Sequence, residues 1–399
     1  MSEPNFYFIF FLLLISGKVL AELAERLGQP AVLGEICAGI LLGPSLLSCV
    51  PCHEYMPGFY RVRDIAHLGI CALLFRIGLE SSFIKMAKVG PTSFVVAVVG
   101  VTCPFILAFI FCWLFNMTTI AALFIGATLT STNVGFSARV LSDLKRLDTR
   151  ESQIILSAAI IDDVIGLIIL SIVSGIGAAG IVSFVSIEKS LLVIIGFFIL
   201  VLLTGSLLVK PLFNLVARAK TEGTIITIAF CFLLFIAYYA NYVGIAAMSG
   251  AFLAGILLTR TNQLDLIKEK TKPLVEILTP VFFVVAGTSV DLKILNPFNP
   301  ENKDAFVLCA FLIPIAVAGK FVSGFSIWKK GISKTFVGVG MIPRGVVGLI
   351  CAQVGLSTAI LTQKTFTALV ITIMVTILIT PPMLKRIIKI QYNARKKPF

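Results

Sequence analysis

Three ionisable residues stand where a chain this apolar has little reason to carry charge. Asp162 and Asp163 are adjacent in the middle of residues 154–173, a run otherwise made of apolar or small side chains. Lys320 lies inside Pro314-Ile-Ala-Val-Ala-Gly-Lys320-Phe-Val-Ser-Gly324. A charge at a bilayer centre costs about 2.5–3.5 kcal/mol on insertion scales, so such residues face a cavity or a partner and mark ion and proton pathways. Two carboxylates in a row are harder to explain as a structural ion pair than one. A helix turns about 100° per residue, so one partner hardly neutralises both. In a dry site they cannot both stay ionised cheaply, and one takes a proton or a cation. The chemistry to expect is an exchange with solvent, protons or ions at a carboxylate left without a partner.

The elements that must hold these residues are membrane helices. Apolar residues make up 58% of the 399 residues and charged residues 13%, with a mean hydropathy of +1.02. That composition lies outside the soluble range. With a ruler of roughly 20 residues per hydrocarbon core, thirteen spans are expected, at about 5–25, 30–48, 64–80, 90–115, 118–141, 152–176, 188–209, 223–241, 244–260, 273–290, 305–328, 335–355 and 364–384. The runs are continuous rather than alternating, which excludes a β-barrel. The fold class is therefore an all-α polytopic membrane protein. The first run is too long for a signal peptide core and lacks a basic start.

The net charge of +13 first suggests an acidic or nucleic-acid partner. Its distribution argues otherwise. Arg139, Lys145, Arg146 and Arg150, then Lys268, Lys270 and Lys272, then Lys385 to Lys397 crowd alternate loops and the tail. The opposite loops carry only Arg61, Arg63, Lys189, Lys293, Lys303 and Lys364. By the positive-inside rule, thirteen spans put the N-terminus outside and the C-terminus in the cytoplasm. The scattered cysteines read as small hydrophobes. Cys49-Val-Pro-Cys52-His53 matches a haem-attachment pattern but occupies a short loop, where a disulfide or two thiols are expected instead.

Other charges within spans have local explanations. Lys18 is expected to pair with Glu22, and Arg76 with Glu80, each four residues apart. Lys320 has no carboxylate within reach in its own helix. It lies about 20 Å from the outer end of its span and Asp162 about 15 Å from the inner end of its own. Both are near mid-membrane, and the acidic pair is the expected partner of the lysine.

Two spans are interrupted. The fifth contains Thr130-Ser131-Thr132-Asn133, whose side chains compete for backbone hydrogen bonds. The twelfth contains Gly338-Val-Gly340-Met-Ile-Pro343-Arg344-Gly345-Val-Val-Gly348, enough glycine and proline to open a helix. Spans four to six and eleven to thirteen each have the interrupted helix in the middle, and they enter the membrane from opposite sides. That is an inverted repeat with two unwound crossing helices, which points to a transport site near the midplane. Arg344 is expected to compensate a helix C-terminal end or a nearby carboxylate.

At these residues the chain resembles the bacterial monovalent cation:proton antiporters, in particular the NapA-type sodium/proton antiporters with the NhaA-like fold. The resemblance covers nearly the whole length. It rests on Gly28-Gln-Pro-Ala-Val-Leu-Gly-Glu35, Gly78-Leu-Glu80, Ser131-Thr132-Asn133-Val-Gly135 with Ala138-Arg139-Val140-Leu141, Ile161-Asp162-Asp163-Val164, Gly319-Lys320, and Pro343-Arg344-Gly345 with Val347-Gly348-Leu349-Ile350.

It implies Asp163 as the principal ion- and proton-binding carboxylate, with Asp162 as its partner and Lys320 as a charge-switch partner. Thr132 and Asn133 would line the Na+ site, and Pro343, Arg344 and Gly345 would form the second unwound helix. It also implies a homodimer. Residues 1–87 and 178–304 would form the scaffold, residues 88–177 and 305–386 the core transport helices, and 387–399 a basic cytoplasmic tail. Val346 stands where the family pattern often has an acid after Pro-Arg-Gly, and Arg76 stands where a neutral residue is usual.

The expected activity is electrogenic exchange of Na+ or Li+ for H+ by alternating access in a bacterial inner membrane, with no cofactor and no enzymatic step. A Kef-type K+/H+ antiporter is an alternative, although no regulatory nucleotide-binding domain follows the spans. A sodium-coupled symporter of similar fold is another. A channel fits poorly with a charge-paired site between broken helices. An intramembrane aspartyl protease needs two facing carboxylates, whereas Asp162 and Asp163 point about 100° apart.

Overall fold

The computed structural model describes residues 6–43, 46–50, 59–81, 83–179, 207–219, 223–243, 245–288, 303–329 and 331–396, together with residue 221 and scattered positions between 192 and 205. Ten of the 22 residues of the seventh expected span, at 188–209, lie outside the described residues, as do Cys52 and His53. The described chain is helical, and its one β-bridge is isolated.

The helices are α1 (Phe6–Arg26), α2 (Ala31–Leu42), α3 (Phe59–Glu80), α4 (Phe83–Leu114), α5 (Thr119–Thr128), α6 (Val134–Asp143), α7 (Arg150–Ala179), α8 (Val209–Val216), α9 (Thr224–Tyr242), α10 (Ala247–Leu258), α11 (Leu264–Thr288), α12 (Lys303–Ser323), α13 (Lys334–Gly340), α14 (Val346–Ser357) and α15 (Gln363–Lys396). Among the described residues, seven helical stretches are long and apolar enough to cross a membrane unaided. The expected fifth and twelfth spans are each split, into α5 with α6 and into α13 with α14. The last helix runs on to Lys396, well past the expected end at 384, because a helix leaving the apolar layer needs no hydrophobic side chains to continue.

Large apolar side chains cover the outside. Tyr7, Phe8 and Phe11 on α1 and Phe235 and Tyr238 on α9 are all exposed. In water such a surface would aggregate; against lipid tails it is the expected finish. Proline sits inside α4, α11, α12 and α15, as membrane helices tolerate when neighbours satisfy the freed backbone groups.

The chain forms two compact units. The first comprises residues 1–84, 138–148 and 193–292. Its core joins Ile9 and Leu13 of α1, Ala38 and Leu42 of α2, Val62 and Ala66 of α3, and Val281 and Val284 of α11. Without a hydrophobic drive between helices in lipid, close backbone approach supplies the packing. Gly78 on α3 and Gly255 on α10 provide it. A Cβ on Gly78 would land on the Phe252 carbonyl, and one on Gly255 on the Phe75 carbonyl.

The second unit comprises residues 85–137, 149–192 and 293–399. Its core gathers Phe111 and Cys112 of α4, Phe124 and Ile125 of α5, Val173 of α7, Leu312 and Ala316 of α12, Ala352 of α14 and Leu369 of α15. The division between the units falls inside α6, between Ser137 and Ala138.

One expected pair differs. Glu22 accepts from Arg26 at 2.9 Å rather than from Lys18. Both bases lie four residues away, but a glutamate N-terminal to its base is the better order on a helix. Arg76 and Glu80 do pair, at 3.2 Å. Replacing Gly255 by Val should cost about 1–3 kcal/mol or more, since the α3–α10 contact cannot close over an added side chain. Gly90→Ala should leave stability unchanged, because nothing lies within 4 Å of a Cβ there. Melting temperatures of both variants in detergent test this, and equal values would remove the close-approach argument.

Candidate functional site

The site grows out of the two helix breaks. In α5 and α13 the helical hydrogen bonds stop at buried ends, and backbone polar groups freed in an apolar interior must find partners. They find each other. Thr132 and Arg344 form an antiparallel bridge. The Asn133 N–H donates to the Pro343 carbonyl at 2.8 Å and the Gly345 N–H to the Ser131 carbonyl at 3.1 Å. The crossing is tight enough that a Cβ on Gly345 would sit 2.5 Å from Ser131 Oγ and 2.7 Å from the Thr132 carbonyl oxygen.

The two half-helices entering the crossing start alike. Thr118 caps α5 by accepting from the Ala121 N–H at 3.3 Å, and Ser333 caps α13 by accepting from the Phe336 N–H at 3.3 Å. Hydroxyls in these positions satisfy first-turn donors. Their far ends differ. The C-terminal end of α5 presents the Leu129 carbonyl, and Arg344 donates to it and to the Ala316 carbonyl of α12. A cation at a helix C-terminus meets the negative end of the helix dipole. Arg344 is fully buried, and its partners are carbonyls rather than a carboxylate. The end of α13 receives hydroxyls instead: Ser137 Oγ donates to the Gly340 carbonyl at 2.7 Å, and Thr132 Oγ1 stands 3.4 Å from the Met341 carbonyl.

Against this crossing α7 brings its carboxylates and α12 its lysine. Lys320 Nζ donates to Asp162 Oδ2 at 2.5 Å, with both side chains 0% exposed. Thr132 Oγ1 donates to the same oxygen. The other oxygen, Asp162 Oδ1, is buried and has no hydrogen-bond donor among the described residues, and neither has Ser131 Oγ a partner. Asp163 is 4% exposed, about 100° round the helix from its neighbour. Asn133 Oδ1 accepts from the Phe136 N–H at 3.0 Å and so caps α6. A second lone pair stays on that oxygen.

Thr132, Asp162 and Lys320 thus meet in one hydrogen-bonded group, and Asn133, Pro343, Arg344 and Gly345 form the crossing beside it. Sequence reasoning did not find Ser131 or the Leu129 and Ala316 carbonyls. Backbone acceptors carry no residue-type signal, and Ser131 is distinguished only by lacking a partner once folded.

A sequence profile described as "Sodium/hydrogen exchanger, transmembrane" matches residues 9–390. The chain belongs to this family. The High-affinity Na(+)/H(+) antiporter NhaS3 of Synechocystis sp. is 35% identical over 93% of this chain and 87% of its own length. The Na(+)/H(+)-K(+) antiporter GerN of Bacillus cereus is 33% identical over 96% of both. In fold, the chain is similar to the sodium proton antiporter MjNhaP1 of Methanocaldococcus jannaschii, whose structure at pH 8 superposes with a TM-score of 0.66 at 17% identity over 94% of each chain. The multi-pass membrane character follows from the family and from the apolar helices described above.

Removing one partner of a buried ion pair leaves an uncompensated charge and costs about 3–5 kcal/mol. Lys320→Ala should therefore lower the melting temperature in detergent, and Asp162→Asn combined with Lys320→Ala should recover part of that loss. A Lys320→Ala variant that melts like the wild type would show that the pair does not support the fold.

Proposed function

We propose that this protein exchanges Na+, or Li+, for H+ across a membrane by alternating access, and that Asp163 carries the cation and the proton in turn. The observation that carries the reading is the half-satisfied Asp162. Its Oδ2 is held by Lys320 and Thr132, while Oδ1 is buried with no donor among the described residues. A group built only for helix packing would have both oxygens satisfied.

A hard cation entering this space takes oxygen ligands from Asp163, Asp162, Thr132 and Asn133. Its charge competes with the Lys320 ammonium for Asp162 and with a proton for Asp163. When the cation leaves, Lys320 again neutralises Asp162 and Asp163 takes a proton, so the site is never left with two bare buried carboxylates. Cation and proton cannot occupy Asp163 together, and that competition couples their movements. The displaced lysine gives up its ammonium proton to water as the cation binds and takes one back as the cation leaves, so one cation exchanges against two protons, one on Asp163 and one on Lys320, and the cycle is electrogenic. The broken half-helices place this exchange where small shifts of α6 or α14 alter which side water reaches it from.

The same reading assigns the unit containing the crossing to transport and the other unit to a scaffold through which the protein dimerises. It places the chain in a bacterial cytoplasmic membrane, with the N-terminus outside and the C-terminus inside. The loop charge asymmetry and the bacterial origin of the similar antiporters support this.

In proteoliposomes with an internal pH dye, addition of Na+ or Li+ to the wild type should drive proton movement, faster when an imposed voltage favours net charge transfer. Asp163→Asn should reduce that signal to the level of empty vesicles while keeping the wild-type melting temperature. Undiminished exchange by Asp163→Asn would overturn its role, and a response to K+ alone in the same panel would overturn sodium as the cargo.

A further inference from the structure

The broken fifth span carries a row of buried hydroxyls, and one of them has nothing to bond. Thr128 and Thr130 donate back to the Phe124 and Ala127 carbonyls, each at 2.8 Å. Thr132 donates to Asp162, and Ser137 to the Gly340 carbonyl. Ser131 is 0% exposed, and its Oγ has no partner among the described residues. The break explains why it cannot copy its neighbours. α5 ends at Thr128, and the Ala127 carbonyl, four residues back from Ser131, already accepts from the N–H and the hydroxyl of Thr130. Thr92, Ser157 and Thr279 are also buried hydroxyls without partners, but they lie within continuous helices. Ser131 lies on the unwound backbone of the crossing.

Its surroundings are glycine. A Cβ on Gly345 would come within 2.5 Å of Ser131 Oγ, and one on Gly166 would stand 3.9 Å from Ser131 Cβ. Gly166 is one turn beyond Asp162 on α7, on the same face of that helix. Ser131 therefore packs against the face that presents Asp162, and it precedes Thr132, whose hydroxyl holds Asp162 Oδ2. Asp162 Oδ1 is the second oxygen without a partner here, and the two do not satisfy each other. Both keep lone pairs for a guest. A hydroxyl and a carboxylate oxygen are hard donors, the kind a small monovalent cation accepts.

We propose that Ser131 Oγ is a further oxygen ligand of the transported cation, one that sets how tightly the site holds Na+ and Li+ while taking no part in the proton step. The assignment rests on the exchange reading and adds a ligand that this reading does not contain. The division of labour follows from chemistry. Asp163 and Lys320 exchange protons in that reading, whereas a serine hydroxyl keeps its proton at any working pH. It is neutral, so no charge is left to compensate when the cation departs. What remains is a buried hydroxyl without a hydrogen bond, which raises the energy of the cation-free site and so favours rebinding.

Two measurements on the full-length protein test it, with two variants. Ser131→Ala removes the ligand. Ser131→Cys keeps nearly the same shape but offers a soft sulfur, which a hard cation binds poorly. In detergent, Na+ or Li+ should raise the wild-type melting temperature, and the midpoint of that rise should move to about tenfold higher concentration or more in both variants. Without cation, both variants should melt no lower than the wild type, since no hydrogen bond is lost. In proteoliposomes, half-saturating Na+ should rise by the same factor while the rate at saturation stays within about twofold, the signature of lost binding alone. Unmoved midpoints in both variants would overturn the proposal, and so would a fall in the saturating rate with half-saturation unchanged. A lower melting temperature in cation-free buffer with wild-type midpoints would also overturn it, as the mark of a packing role. If the wild type is stabilised by Na+ yet exchanges none, the exchange reading fails, and the midpoint shift in detergent alone decides whether Ser131 binds the cation.

Discussion

The second unit depends on one constraint: unwound backbone in an apolar layer must be satisfied within the protein. Opening α5–α6 and α13–α14 frees peptide groups that no lipid can bind. The crossing answers this by pairing the two breaks with each other, through the Thr132–Arg344 bridge and the bonds from Asn133 and Gly345. Everything else at the site follows from that placement. Thr132 is held where its hydroxyl reaches Asp162, and Arg344 where its guanidinium reaches the end of α5. Lys320 and Asp162 then bury together, because neither could be buried alone at mid-membrane depth.

Much of this was legible from residue types and counting. Depth arithmetic put Lys320 and Asp162 at the same level, and glycine, proline and hydroxyl content marked both breaks to within a few residues. The partners of Arg344 were not legible. Both are backbone carbonyls brought in by folding, from residues 215 and 28 positions away, and Leu129 and Ala316 have nothing in their side chains to announce it. The exchange of Lys18 for Arg26 at Glu22 has a simpler cause: two bases were equally spaced, and orientation along the helix decided between them. Arg139 is a surface charge in a loop count of basic residues. Only the fold shows that it lies against a buried glutamate on α2, with Arg139 Nη2 3.2 Å from Glu35 Oε1.

Three ion pairs illustrate how context sets their use. Arg26 and Glu22 are exposed on α1, where such a pair contributes little. Arg76 and Glu80 are half-buried, and tie one turn of α3. Asp162 and Lys320 are wholly buried, and each neutralises a charge that the other's burial would leave bare. The same pairing therefore runs from a solvated surface contact to a dry interior one, graded by how much water each pair retains.

A fold that repeats itself upside down is in principle indifferent to which side of the membrane it opens towards. The ends of α5 and α13 break that symmetry chemically. A buried guanidinium meets one of them, and neutral hydroxyls meet the other. The two halves of the crossing are therefore not interchangeable, and the difference resides in Arg344.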